Sequence, residues 1–193
     1  MPKITKTKDL IILLLYAKGP SGAPCEPIQG QTRLMKMIFL FKEELSKSFG
    51  LDQIIDESAY PKFEAYDFGP YSANVYSDLE FLVNIGLVRV EQDTTREVAE
   101  EERREHDYWT ATANSEIEID KPFVGRKFSL SELGKKFVNK MISEKGITEN
   151  QLATLSQFKK RCCGSSLRSL LRYVYTRYSK MTTESKIKDQ VLG

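Results

Sequence analysis

Phe63-Glu64-Ala65-Tyr66-Asp67-Phe68-Gly69-Pro70-Tyr71-Ser72, with the run Ala73 to Val90 behind it, decides how this sequence is read. Phe63 and Ala65 alternate with Glu64 and Tyr66, which predicts a short strand. Gly69-Pro70 should break that strand, because proline fixes its own φ and pushes the residue before it out of the α region. Ser72 is then placed to cap a helix over Ala73 to Ile85. Val75, Tyr76, Leu79, Leu82 and Val83 share one face of that helix. Asn74, Ser77, Asp78 and Asn84 lie opposite, and Phe81 lies with them. A large aromatic on a polar face is either covered by a later part of the chain or offered to a partner, and intramolecular cover is the expectation. Gly86 ends the helix, and Leu87-Val88-Arg89-Val90 starts a second strand.

Upstream, Leu10 to Ala17 is the longest apolar run, eight residues. A membrane span needs about 20. Lys3, Lys6 and Lys8 give the run a faint likeness to a secretion signal, but Lys18-Gly19-Pro20 closes it. It reads as a buried first helix, capped by Thr7 and apolar almost all round. A Gly- and Pro-rich loop follows, up to Pro27. Thr32 should then cap a helix over Arg33 to Lys47 with Leu34, Met37, Ile38, Phe41 and Leu45 on its buried stripe. Arg33 and Lys36 fall on the other side. They read either as a solvated face or as an anion contact at a helix N-terminus. Gly50 to Ser58 reads as a short helical turn and loop.

Downstream, Glu91 to Asp107 holds eight acidic residues against three arginines and almost nothing apolar. Such a segment cannot build a core and is expected to be an exposed, mobile loop. Tyr108 to Thr112 and Ile117 to Ile119 are candidates for a hairpin, and Arg126 to Leu130 for a further strand. A helix from Ser131 to about Ser143 should turn Leu133, Phe137, Val138 and Met141 inward. Thr148 to Gln151 is a capping box for a helix carrying Leu152, Leu155 and Phe158, which Gly164 breaks. The next helix, Ser166 to Tyr178, should bury Leu167, Leu170, Leu171, Val174 and Tyr178. Ile187 and Val191 mark a short last one. The pattern predicts an α+β, mainly helical fold. Residues 1–146 form a winged-helix core with a small antiparallel sheet and an acidic wing insertion at about 91–107. Residues 147–193 form a C-terminal helical extension packed on that core.

The chemistry of the chain points away from catalysis. His106 is its only histidine and sits in the acidic segment, between Glu105 and Asp107. No C-x-x-C pair occurs, so a thiolate zinc site is not expected, the lone histidine rules out a His-His metal site, and no cofactor is expected. There is no P-loop, no G-x-G-x-x-G and no G-x-S-x-G. Cys25, Cys162 and Cys163 form a poor disulfide framework and fit a reducing, cytoplasmic compartment. The basic surroundings of Cys162-Cys163 could lower a thiol pKa, but no base or resolving partner accompanies them. The net charge of +2 does not mark a nucleic-acid binder.

Binding is therefore the expected function. The helix before the wing carries Asp78 and Glu80 and no lysine or arginine, so it is a poor groove reader, although Asn74 and Ser77 could reach base edges. Nine basic residues lie between Lys159 and Asp189 against Glu184 and Asp189. Arg168, Arg172 and Tyr175 share a helix face there, suited to phosphates or an acidic protein, or simply solvated.

Four segments carry a family resemblance. They are Thr32-Arg33-Leu34-Met35-Lys36-Met37-Ile38-Phe39-Leu40, the stretch Phe63 to Ser72 with its Gly69, Pro70, Tyr71 and Ser72, Asp78-Leu79-Glu80-Phe81-Leu82 before Gly86-Leu87-Val88, and Phe128-Ser129-Leu130-Ser131-Glu132-Leu133-Gly134. Together, over about residues 7 to 142, they resemble the Panacea (SocA-like antitoxin) domain and the related YwgA-type proteins of prokaryotes and phages. Leu171 to Tyr175, through Ser185, resembles the YwgA-type C-terminal part. The resemblance implies a winged-helix core without catalysis that neutralises a partner toxin or, in other members, binds DNA or assists phage defence. The acidic insertion departs from that pattern and puts ordinary contact between wing and DNA in doubt. Two readings follow. The first is a non-enzymatic module that binds a protein partner. The second is a DNA-binding regulator docking through Arg168, Arg172 and their neighbours. A homodimer is compatible with both, and neither needs a membrane.

Overall fold

The computed structural model describes residues 3–47, 50–93, 103 and 125–193. The fold is α+β and mainly helical, with a small antiparallel sheet. Helix α1 (Thr7–Tyr16) is its axis, and Leu10 through Leu15 are buried on every side. This is what an all-round apolar sequence requires. Lys6, not Thr7, is the N-cap; Thr7 is the first helical residue, and its hydroxyl donates to the Ala59 carbonyl at 2.9 Å.

Strand β1 (Ile28–Gln29) leads into α2 (Gln31–Leu40), which a π-helical turn, Phe41–Leu45, extends. Gly30 is the N-cap, and Thr32 is a buried helical residue rather than a cap. A short α3 (Leu51–Ile54) and a 3-10 turn (Glu57–Ala59) come next, where the sequence predicted a helical turn and loop.

The Gly-Pro stretch differs from its expected form. Gly69 and Pro70 do not end a strand but begin one. Strands β2 (Glu64–Tyr66) and β3 (Gly69–Tyr71) pair antiparallel, with Tyr66 opposite Gly69 and Ala65 opposite Pro70. The chain reverses over Asp67-Phe68, and Gly69 takes φ +80 directly after the turn. A two-stranded sheet has only edge strands, so Pro70 forfeits no interior ladder bond.

Helix α4 (Ala73–Asn84) follows, with Ser72 at the N-cap in extended conformation. Ser72 is buried and its side chain makes no capping hydrogen bond, so that part of the expectation fails. Gly86 takes φ +74 past the helix end, as expected of a C′ glycine. Strands β4 (Val88–Asp93) and β5 (Gly125–Leu130) pair antiparallel, from Val88 opposite Leu130 to Asp93 opposite Gly125, and β1 completes a sheet of order β1-β5-β4. Glu91 to Asp93 thus belong to a strand, not to the loop expected from Glu91 onward, and Glu91 pairs with Lys127 at 3.1 Å. His106 and the hairpin expected over Tyr108 to Ile119 lie outside the described residues.

Helix α5 (Glu132–Lys145) opens on Ser131, whose hydroxyl accepts from Gly134 N. Its buried positions are Gly134, Val138 and Met141. Leu133 and Phe137, expected inward, are exposed. The cause is Gly134. A Cβ there would stand 2.2 Å from the Leu87 carbonyl oxygen, so the helix comes close along that line and turns its apolar flank outward.

Helix α6 (Glu149–Gly164) has the expected reciprocal capping box between Thr148 and Gln151. Helix α7 (Leu167–Arg177) buries Leu167, Leu170, Leu171 and Val174 as expected, while Tyr178 is half-buried. Helix α8 (Lys188–Leu192) is anchored by buried Ile187 and Val191. The C-terminal helices share one hydrophobic core with the rest; the Phe41 and Phe158 rings meet edge to face at 5.6 Å. Among the described residues, no helix is long and apolar enough to cross a membrane.

Candidate interaction surface

The Gly-Pro hairpin is held from two sides. From α2, the Lys36 ammonium donates to the Pro70 carbonyl at 2.9 Å. From the C-terminal segment, Lys186 N donates to the Asp67 carbonyl at 2.8 Å, and the Lys186 ammonium reaches the Asp67 carboxylate at 3.1 Å. The Ser185 hydroxyl also donates to the Asp67 carbonyl, at 3.2 Å, and shares a 2.7 Å hydrogen bond with the Tyr175 hydroxyl. The Tyr175 ring lies against Gly69, where a Cβ would come within 3.0 Å of Cε2. Gly69, Pro70, Tyr71 and Ser72 are therefore architectural. Tyr71 stacks on Tyr66 at 5.1 Å and leans on Tyr76 of α4 at 5.5 Å.

Three residues expected at a contact surface are consumed inside the molecule. Lys36 is 1% exposed. Arg33 is also buried and donates to the Cys162 carbonyl and, at 2.8 Å, to the Ser165 carbonyl. Neither offers an anion site at the start of α2. Tyr175 is fully buried and does not share a surface with Arg168 and Arg172. Hydrophobic periodicity assigned all three to an outer face. Backbone carbonyls distant in sequence, presented at the ends of other elements, drew the charged groups inward.

The basic run of the C-terminal part is dispersed for the same reason. Lys159 is buried, and its ammonium donates to the carbonyls of Leu15 at 2.9 Å, Ala17 at 2.9 Å and Glu26 at 2.5 Å. Burial pushes its pKa down to about 8. Arg161 pairs with Glu44 at 2.7 Å. Arg168 is exposed and donates to the Gln190 carbonyl at 2.9 Å, and Arg172 is exposed. Of the three residues expected on one face, Arg168 and Arg172 remain outside, one turn apart on α7, without Tyr175.

The cysteines are not activated. Burial raises the Cys162 thiol to about 12 and raises Cys163 and Cys25 as well, outweighing the neighbouring Arg161, Arg33, Lys135 and Lys159. The basic neighbours could have lowered a thiol pKa, but desolvation is the larger effect.

Among the described residues, the exposed large apolar side chains are Phe81 on α4, Ile85 at its C-cap, Leu133 and Phe137 on α5, Val90 on β4 and Tyr173 on α7. Phe81 is 44% exposed, so the described residues give it only part of the expected cover. Among them, the Lys8 ammonium stands over its ring, 4.1 Å from the centroid. One turn on, Ile85 is 44% exposed. On α5, Leu133 is 58% and Phe137 42% exposed, again one turn apart. The N-cap of α5 is tied to the segment that follows α4. Ser131 N donates to the Leu87 carbonyl at 3.0 Å, and the Ser131 hydroxyl donates to the Gly86 carbonyl at 2.6 Å. Ile85 lies immediately before this junction and Leu133 two residues after Ser131. Asn74 and Ser77 are exposed near the start of α4, where the Ser77 hydroxyl donates to the Asn74 carbonyl at 3.2 Å.

Ile85, Leu133 and Phe137 did not stand out in the sequence as contact residues. The signal was present as matched i, i+4 spacing on two helices that flank a glycine. No protein-family model matches the chain, and no curated protein matches it.

Proposed function

We propose that this chain is a non-enzymatic winged-helix module that binds a protein partner through the apolar face formed by Phe81 and Ile85 on α4 and Leu133 and Phe137 on α5. The carrying observation is that four of the six exposed large apolar side chains form two one-turn pairs, Phe81 and Ile85 at the end of α4 and Leu133 and Phe137 at the start of α5, with the N-cap Ser131 bonded to the Gly86 carbonyl just after Ile85. Exposed apolar groups scattered singly are ordinary, whereas a grouped set marks an interaction site. Aromatic anchors such as Phe81 and Phe137 supply the buried centre of a protein interface.

The order α1, β1, α2, α4, β4, β5, with α3 and the β2–β3 hairpin inserted between α2 and α4 and with sheet order β1-β5-β4, supports the winged-helix reading. In it, α4 stands where the groove-reading helix of a DNA-binding relative would be, and β4–β5 form the wing. The lack of lysine or arginine on α4 favours protein over DNA. An antitoxin-like or phage-defence role, as the family resemblance implies, gives the partner's class: a toxin or defence component in the cytoplasm of a prokaryotic cell.

The test is co-purification from the native host with and without Phe81→Asp and Phe137→Asp. The account expects a stoichiometric protein with the wild type and none with the double variant. Equal recovery from both overturns the assigned face. The alternative, DNA docking through Arg168 and Arg172, predicts a salt-sensitive duplex shift that Arg168→Glu with Arg172→Glu abolishes.

A further inference from the structure

The π-helical turn Phe41–Leu45 and the 3-10 turn Ser179–Thr182 at the end of α7 face each other across a cleft of about 430 Å³. That volume lies within the range of about 300–1,000 Å³ usual for small-molecule sites. Its wall is aromatic and braced. Phe63 meets Phe39 edge to face at 5.2 Å, and Tyr178 meets the same ring at 5.0 Å.

Its rim is cationic. Lys42 comes from the π turn, and Arg177 and Lys180 come from the far side, against Glu43 as the carboxylate of the lining. The Lys42 ammonium is held in place by the Pro61 carbonyl at 3.2 Å. Arg177 and Lys180 are exposed, and neither makes an ion pair among the described residues. The neighbouring Glu44 does not offset them, because it already accepts from Arg161 at 2.7 Å and from Tyr173 at 2.8 Å. π turns interrupt α-helices rarely, and often at functional sites.

We infer that this cleft binds a mononucleotide, with the phosphate on Arg177, Lys180 and Lys42 and the planar base against Phe63 and Tyr178. Each half of the ligand answers one half of the site. Inorganic phosphate would leave the aromatic wall unfilled, and a neutral nucleoside would leave three cations against the single carboxylate of Glu43. The carbonyl end of α7 repels an anion, so the phosphate must be held by side chains and not by the backbone. Affinity therefore depends on Arg177 and Lys180. The site shares no residue with the apolar face of α4 and α5 and stands or falls independently of it.

The experiment is calorimetric titration of the full chain with AMP, adenosine and inorganic phosphate in parallel, on the wild type and on Arg177→Glu with Lys180→Glu. Both substitutions are on exposed side chains, and Phe63→Leu serves as a third variant with the wall altered. AMP is expected to bind saturably and at least about tenfold tighter than either fragment, with the charge-reversed variant at least about tenfold weaker; tenfold corresponds to about 1.4 kcal/mol. Three results would each overturn the assignment. They are no saturable AMP binding at millimolar concentration, AMP no tighter than inorganic phosphate, or equal AMP affinity in the charge-reversed variant.

Discussion

The Lys36 ammonium donates to the Pro70 carbonyl at 2.9 Å, joining the middle of α2 to the Gly-Pro hairpin. A lysine that is 1% exposed is held by the backbone of the very turn that organises the chain. The hairpin is thereby fixed to α2 on one side and, through Tyr175, Ser185 and Lys186, to the C-terminal segment on the other.

Lys36→Met should keep the volume and lose the donor. Hydrogen bonds from charged groups contribute about 1.5–3 kcal/mol, and an unpaired buried carbonyl adds to the loss. Urea denaturation should show destabilisation of about 2–4 kcal/mol. A change under about 0.5 kcal/mol would contradict the clamp.

Gly69→Ala tests the other side. The residue holds φ +80, and a Cβ would meet Tyr175 Cε2 at 3.0 Å. Strain of this kind costs about 1–3 kcal/mol. Pairing it with Tyr175→Ala should recover the steric part and leave the backbone part, which a double-mutant cycle separates.

The elements of the fold were largely legible in the sequence, while several side-chain directions were not. Local signals carried α1, the capping box of α6, Gly86 and the strand at Phe128, because each depends on neighbours within a few residues. The direction of α5 did not follow from local signals. Leu133 and Phe137 are more apolar than Gly134, yet Gly134 faces inward because only a residue without a Cβ can meet the Leu87 carbonyl. Arg33, Lys36 and Lys159 escaped in the same way. Their acceptors are carbonyls at Cys162, Pro70 and Leu15, and no periodicity in their own helices points to them. The candidate surface became visible only once those cations and Tyr175 were placed inside.

Lys159 makes stability depend on pH. Its folded pKa is lowered to about 8 from an ordinary 10.5, so below pH 8 the fold carries the cost of a buried charge. In the window from about 8 to 10.5 the unfolded chain binds more protons than the folded one, and stability contributed by this group rises with pH. The raised thiols oppose it from about pH 9 upward. The stability difference between wild type and Lys159→Met isolates the lysine. That difference should shift in favour of the wild type as pH rises from 7 to 10, and a difference independent of pH would contradict the burial of the charge.

Cys162, with its thiol pushed up to about 12, should react with an aromatic disulfide reagent only when the protein unfolds. At pH 8 about one such thiol in ten thousand is ionised. Half-buried Cys25 and Cys163 should be labelled before it. Rapid labelling of Cys162 in the folded protein would mean that the α6 terminus opens locally.

Phe81→Asp, Ile85→Asp and Phe137→Asp alter partly exposed positions and should each lower unfolding free energy by no more than about 2 kcal/mol, leaving the chain folded. Each should also raise the concentration of partner needed for half-saturation by at least about tenfold. Loss of fold in all three would show that the face is covered in the native chain.

The most direct test places a photo-crosslinking amino acid at Phe81, at Phe137 and, separately, at Arg168, in cells of the native host. The account predicts one heterologous protein crosslinked from both Phe81 and Phe137 and absent from Arg168. Crosslinks to nucleic acid from Arg168 alone, or only to a second copy of the chain from Phe81 and Phe137, would contradict it.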